Sequence, residues 1–231
     1  MKPFRFQKFT INQSQDVFRV GTDGVLLGAL CGVFGAEGVL EVGTGTGLIS
    51  LMLAQRNPRA NIEAIDINQE AASLALENFS NSPFVERLTV NHQDFKAYSS
   101  KKTFDLIVCN PPFFEENDSG KDVLARQQRE LNFEILIEKS SEFLKKEGIL
   151  SVIIPCESVA VFTDFARKVK LHLVRNVNIF GIEGGVLKRN ILEFSFVKNP
   201  LEIVDFVIEK SPRQYSDQYL ELTKEFHIFG K

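Results

Sequence analysis

From residue 39 onward, short apolar runs alternate with amphipathic stretches long enough for helices, and nothing else in the chain constrains its fold as much. The runs at 39–42, 61–66, 87–91, 104–109, 149–154, 171–179 and 191–197 are continuous and rich in strand-forming residues. Helical patterns occupy 48–55, 69–79, 132–146 and 159–169. Strands joined through helices must run parallel, with right-handed crossovers and helices on both faces. The loop before the last run has no room for a helix, which predicts an antiparallel pair at the sheet edge. The expected fold is therefore α/β, a doubly wound, seven-stranded and mostly parallel sheet spanning residues 38–199. Residues 1–37 read as an arm, in which Phe4, Phe6, Phe9 and Ile11 alternate with polar residues, and a helix capped by Thr22 or Asp23. Residues 200–231 read as an extension packed on the core, with a strand at 202–210 and a closing helix from 217 capped by Ser216.

The run at 104–109 ends in Asn110-Pro111-Pro112-Phe113. Two prolines cannot continue a ladder, because each lacks a backbone donor and has a fixed φ. The chain must turn there, holding an amide and an aromatic ring at the end of a strand, where open parallel sheets bind ligands. Alone, this is an ordinary strand stop. The polar stretch 114–130 that follows lacks periodicity, as lids and mobile segments do.

Other strand ends carry matching groups. Glu41-Val42-Gly43-Thr44-Gly45-Thr46-Gly47 joins the first strand to its helix. Leu48 stands where a dinucleotide fingerprint needs its third glycine, and the Gly-Lys-Ser/Thr end of a phosphate loop is absent. The glycines then serve positive φ and close backbone approach, and the acidic Glu41 favours a cationic or amine-bearing ligand over a phosphate. Asp66, followed by Ile67, is placed to accept from ribose hydroxyls, and Asp94-Phe95 to contact and cover a purine base. Each carboxylate alone is an ordinary turn or cap residue. Four acceptors at four successive strand ends are a different matter.

With 231 residues, 44% hydrophobic and 25% charged, the chain suits one soluble domain. No apolar run is long enough for a membrane span, and no signal peptide is visible. Cys31, Cys109 and Cys156 lack metal spacing and read as buried thiols of a reducing cytoplasm, so no metal is expected. The net charge of -3 argues against indiscriminate nucleic-acid coating, but residues 1–20 and 165–190 are locally basic, which suits one polyanion docked beside a site.

This constellation resembles the class I S-adenosylmethionine-dependent methyltransferases over about residues 38–198. The resemblance implies S-adenosylmethionine as cofactor, with Gly43, Gly45 and Gly47 lining its methionyl part and Glu41 near its ammonium. Asp66 would bind the ribose and Asp94 the adenine amine. The Asn-Pro-Pro-aromatic form resembles enzymes that methylate a planar, conjugated nitrogen. Such a nitrogen is a poor nucleophile. Asn110 and the Pro111 carbonyl would accept its two N–H bonds and align it for in-line attack. Phe113 would stack an extruded base.

The acceptor remains to be chosen among a protein glutamine, guanine N2 of ribosomal RNA, a DNA or RNA adenine and a small aromatic amine. A non-enzymatic RNA-binding module would have no use for an amine clamp. Only 37 residues precede the methyltransferase core, too few for the substrate domain of glutamine methyltransferases, and 231 leave no space for a DNA target-recognition segment. Phe6-Gln7-Lys8-Phe9, the stretch Phe18 to Ala29, Arg126 and the stretch Tyr215 to Thr223 are similar to the bacterial tRNA(Val) adenine-37 N6-methyltransferase family. That resemblance implies a tRNA partner and a cytoplasmic enzyme, expected to be monomeric. It also implies that Thr22 and Asp23 help close over the cofactor, and offers Lys8 and Arg126 as phosphate contacts near the target base. Phe113 stands where this family commonly has tyrosine, which keeps the stacking face and loses a hydroxyl.

Overall fold

The computed structural model describes residues 1–17, 19–111 and 122–228, with side chains for all of these except 122–132. Two short strands, β1 (Phe4–Arg5) and β2 (Thr10–Ile11), pair antiparallel in the arm. Helix α1 (Thr22–Leu30) follows, then β3 (Gly38–Val42), α2 (Leu48–Arg56), β4 (Asn61–Asp66) and α3 (Gln69–Ser80). Next come β5 (Leu88–His92), β6 (Phe104–Cys109), α4 (Asp122–Phe143), β7 (Leu144–Pro155) and α5 (Val159–Lys168). The chain continues through β8 (His172–Ile182), β9 (Leu187–Ser195), β10 (Glu202–Ser211), β11 (Gln214–Tyr215) and α6 (Asp217–Thr223).

The large sheet has the order β11-β10-β8-β9-β7-β6-β3-β4-β5. Its seven-stranded centre matches the sequence expectation, with β9 the strand that runs antiparallel to both its neighbours. Two features differ. The β8–β9 pair is not at an edge, because β10 adds parallel to β8 and β11 closes on β10. Residues from 202 on therefore extend the same sheet to nine strands instead of merely packing against it. Second, the expected helix at 132–146 begins at Asp122 and gives way to strand at Leu144. Leu144 is buried opposite Phe104, and Lys145 donates from Nζ to Asp105 Oδ1 at 2.8 Å. Tertiary pairing overrides the local helix pattern there.

Alternation along the strands separates two cores. Val39, Leu106, Val108, Ile191 and Val177 face α1, α2, α3 and α6, whereas Leu40, Ile107, Cys109, Leu192 and Phe194 face α4 and α5. The central strands β3, β6 and β7 are thus packed on both faces of the sheet. The strand order reverses between β3 and β6. A crevice opens at such a reversal, outside the strand ends.

Candidate active site

The ladder brings the four acceptor positions to one edge of the sheet, within two residues of a common level. Val42 lies opposite Ile65 on one side and Cys109 on the other, so Gly43, Asp66 and Asn110 follow at adjacent strand ends. Asp66 lies opposite His92, two residues before Asp94. Asn110 is half-buried and Pro111 is buried beside it. Pro112 and Phe113 lie outside the described residues.

The glycine loop takes the form its residues allow. Gly43, Gly45 and Gly47 have φ of 73°, 56° and 81°, in the left-handed region that disfavours side chains. The Ile65 carbonyl accepts from both Gly43 N at 2.9 Å and Thr44 N at 3.1 Å. Asp66 clamps the loop: its Oδ2 accepts from Gly45 N at 2.8 Å and its Oδ1 from Asn68 N at 2.9 Å. A Cβ added at Gly43 or Gly45 would meet nothing within 4 Å, whereas at Gly47 it would strike Phe79. The first two glycines border open space and the third borders the core. Their backbones form a cradle.

Beneath that cradle Glu41 is 1% exposed. Its Oε2 accepts from Thr44 Oγ1 at 2.7 Å, from Ser50 N at 3.1 Å and from Ser50 Oγ, while its Oε1 is buried with no partner. Burial pushes the carboxyl up to about 7, against the pull of the Ser50 and Thr44 donors, and Asp66 adds to the rise. The ordinary value is 4.5, so between these values the folded protein holds a proton that the unfolded chain has released. This stabilisation is full below the ordinary value and is lost as pH rises through about 7. In ligand-free protein, Glu41→Gln is therefore expected to flatten the fall in Tm between pH 5 and pH 8. Equal falls in wild type and variant would place the pH dependence elsewhere.

The other positions are distributed as follows. Asp94 caps a short turn by accepting from Lys96 N at 2.9 Å. Ile67 is 66% exposed and offers an apolar face at the mouth of the crevice. Phe95 differs from the expected aromatic cover: it is 8% exposed and packs in the core near Tyr98, which leaves little of its side chain to cover a base. The helix cap is also corrected. Gly21, extended at φ -126°, caps α1 with no side-chain bond, and its carbonyl accepts from Val25 N. Thr22 is exposed, and Asp23 Oδ2 accepts from Arg189 Nε of β9 at 3.1 Å. The first turn of α1 still sits on the loop's exit, where a Cβ at Gly24 would lie 3.1 Å from Leu48 Cδ2.

Lys8 is not at the crevice. It lines a cleft with Gln55 and Arg56, at the end of α2 opposite the glycine loop. The Arg126 side chain lies outside the described residues. Most of the basic stretch 165–190 is engaged within the protein: Arg167 pairs with Asp164, Lys168 with Glu134, Arg175 with Glu193 and Glu202, and Arg189 with Asp23.

One supporting residue had no signal in the sequence. Asn78 on α3, 1% exposed, donates to the Thr46 carbonyl at 2.9 Å and to the Asn12 carbonyl at 3.1 Å, and its Oδ1 accepts from Asn12 N at 2.8 Å. It ties the arm to the glycine loop. Partners 32 and 66 residues away leave no local pattern.

The arrangement suits a ligand with a cationic amine over the buried Glu41 oxygen, hydroxyls at Asp66 and a planar ring at Ile67 and Asp94. S-adenosylmethionine carries all three groups. Among the described residues, no cluster of His, Cys, Asp and Glu could hold a metal, and no helix is long and apolar enough to cross a membrane.

Residues 14–163 match the family model of the methyltransferase small domain. A tRNA1(Val) (adenine(37)-N6)-methyltransferase of Flavobacteriaceae bacterium strain 3519-10 is 53% identical over 231 residues, covering 99% of this chain and 100% of its own length. One from Bacteroides thetaiotaomicron is 40% identical, covering 99% and 98%. In fold the chain is similar to a solved methyltransferase from Pyrococcus furiosus, with a TM-score of 0.63, 18% identity and coverage of 82% and 90%. A solved Agrobacterium tumefaciens protein, described as a predicted O-methyltransferase, gives 0.70 at 18% identity, covering 88% and 96%.

Proposed function

Because the chain belongs to the tRNA1(Val) (adenine(37)-N6)-methyltransferase family, we propose that it methylates N6 of adenosine 37 in a valine-accepting tRNA, using S-adenosylmethionine. The full-length identity of 53% carries this reading. The amide at the end of β6, beside a cradle fit for the cofactor, gives it a chemistry. A cytoplasmic monomer is part of the same proposal.

Bound in the cradle, S-adenosylmethionine supplies a methyl group on a sulfonium, which departs as a neutral thioether. The chain's own residues hold the parts in place. Gly43 and Gly45 would allow backbone approach to the methionyl end, and Glu41 Oε1, buried without a partner, would accept from its amine. Asp66 retains lone pairs for ribose hydroxyls while it clamps the loop. Thr22 and Asp23 lie on the α1 turn that borders the loop, and Asp94 and Ile67 would border the adenine.

Asn110 Oδ1 and the Pro111 carbonyl accept the two N–H bonds of the target amine. This fixes the nitrogen's direction and draws electron density onto it, which a delocalised lone pair needs. No strong base is required of the protein, because the proton is shed to water only after the nitrogen has become cationic. Phe113 and Pro112 complete the clamp in this proposal, with Phe113 as the stacking face for an extruded base.

Labelled S-adenosylmethionine and unmodified tRNA(Val), followed by nucleoside analysis, are expected to yield N6-methyladenosine. Label recovered as N2-methylguanosine or in protein glutamine, or none in RNA at all, would sink the assignment.

A further inference from the structure

The two ends of the chain meet. Phe6 bridges His227, Gln7 N donates to the Phe226 carbonyl, and Gln7 Nε2 donates to the Lys224 and His227 carbonyls. Where they meet, against the carboxyl end of α2, a cleft of about 330 Å³ opens, lined by Lys8, Gln55, Arg56, Glu225 and Phe226 among others.

Three observations give this cleft a ligand chemistry. Lys8 is exposed and has no ion-pair or hydrogen-bond partner among the described residues. Arg56 commits Nη1 to the Gly28 and Cys31 carbonyls at 3.0 and 2.8 Å and lies 5.1 Å over the Phe34 ring, and its other nitrogens have no hydrogen-bond partner among the described residues. Gln55 donates to the Glu225 carbonyl at 2.7 Å, and its Oε1 is a buried acceptor without a partner. Two cations call for an anion, and the free acceptor calls for a donor beside it. A phosphodiester has no donor, but the neighbouring 2′-hydroxyl of RNA does. Arg175 and Arg189 are held by carboxylates within the protein, whereas Lys8 has no such partner among the described residues.

We infer that this cleft binds a phosphate and adjacent ribose hydroxyl of the tRNA backbone, remote from the base being methylated. The inference rests on the tRNA reading above. The nine residues of α2 separate the cleft from the glycine loop, about 13 Å at 1.5 Å per residue. Lys8 then anchors the substrate without touching the reacting atoms. Glu225, exposed at the same cleft, opposes the binding.

The test is the equilibrium Kd for unmodified tRNA(Val), measured with the intact protein, alongside kcat and KM. Lys8→Glu is expected to weaken binding about tenfold, the lower end for a hydrogen bond to a charged group. It should also reduce the slope of log affinity against log salt by about 1. KM should rise in parallel, with kcat and cofactor affinity unchanged. Glu225→Gln should strengthen tRNA binding, a gain that damaged folding cannot mimic. An unchanged Kd in Lys8→Glu overturns the inference, as does a fall in kcat at constant KM. Inorganic phosphate bound in a Lys8-dependent way, with tRNA affinity unaffected, would make the cleft a small-anion site and overturn it equally. Because Kd is read without turnover, loss of the methylation reading would leave this result intact.

Discussion

Asn110→Ala is expected to lower kcat for tRNA methylation by roughly 10²–10³-fold, the usual effect of removing one group aimed at developing charge. The amide stands at the end of β6, level with Gly43 and Asp66, where the strand order reverses. Alanine there leaves the Pro111 carbonyl as the one remaining acceptor of the proposed pair. The target nitrogen then keeps its conjugation with the ring and swings off the line of attack. Affinity for S-adenosylmethionine is expected to stay within about 1 kcal/mol, the size of one neutral hydrogen bond. Single-turnover rates and cofactor titration separate the two effects. A large loss of cofactor binding with kcat retained would give Asn110 a different job.

Gly47→Val is expected to damage the fold itself. Gly47 has φ 81°, which an L side chain adopts at a cost of about 1–2 kcal/mol, more when β-branched. Its Cβ would also lie 2.5 Å from Phe79 Cε1, and Phe79 is 1% exposed and cannot retreat into solvent. Overpacking a well-filled core adds about 1–3 kcal/mol. A total of roughly 3 kcal/mol lowers Tm by about 6–12 °C in a domain of this size. Gly43→Ala is the contrasting variant: its Cβ meets nothing within 4 Å, so it strains the backbone and fills the cradle while the core stays intact. Thermal unfolding with and without cofactor distinguishes them. A Gly47→Val protein with wild-type Tm would mean that α3 can move away from the loop.

What could be read in advance divides along physical lines. Strands and the acceptors at their ends were legible because burial on both faces writes continuous apolar runs, and polar residues then mark where each run stops. Glu41, Asp66 and Asn110 are found this way. Misreadings came where a distant part of the chain decides the outcome. Leu144 looks helical until Phe104 pairs with it, and Phe95 looks like a base cover until the core claims its ring. Asp23 looks like a cap until Arg189, 166 residues away, takes its carboxylate. Lys8 belongs to a cleft that exists only after both chain ends have docked. Asn78 and Ser50 carry no mark of their own, since their value lies wholly in the partners that folding brings to them.

The bonds from Gln7 to the Lys224 and His227 carbonyls span 217 and 220 residues of chain. Closing so long a loop has a high entropic cost and is rewarded only after the intervening sheet exists. On a ribosome, the segment around residue 7 waits for residues 224–227, whose carbonyls hold it. The arm is thus held twice, by Asn78 early in the chain and by the carbonyls of Lys224 and His227 much later. The central strands can therefore pair before the first residues of the chain are clasped.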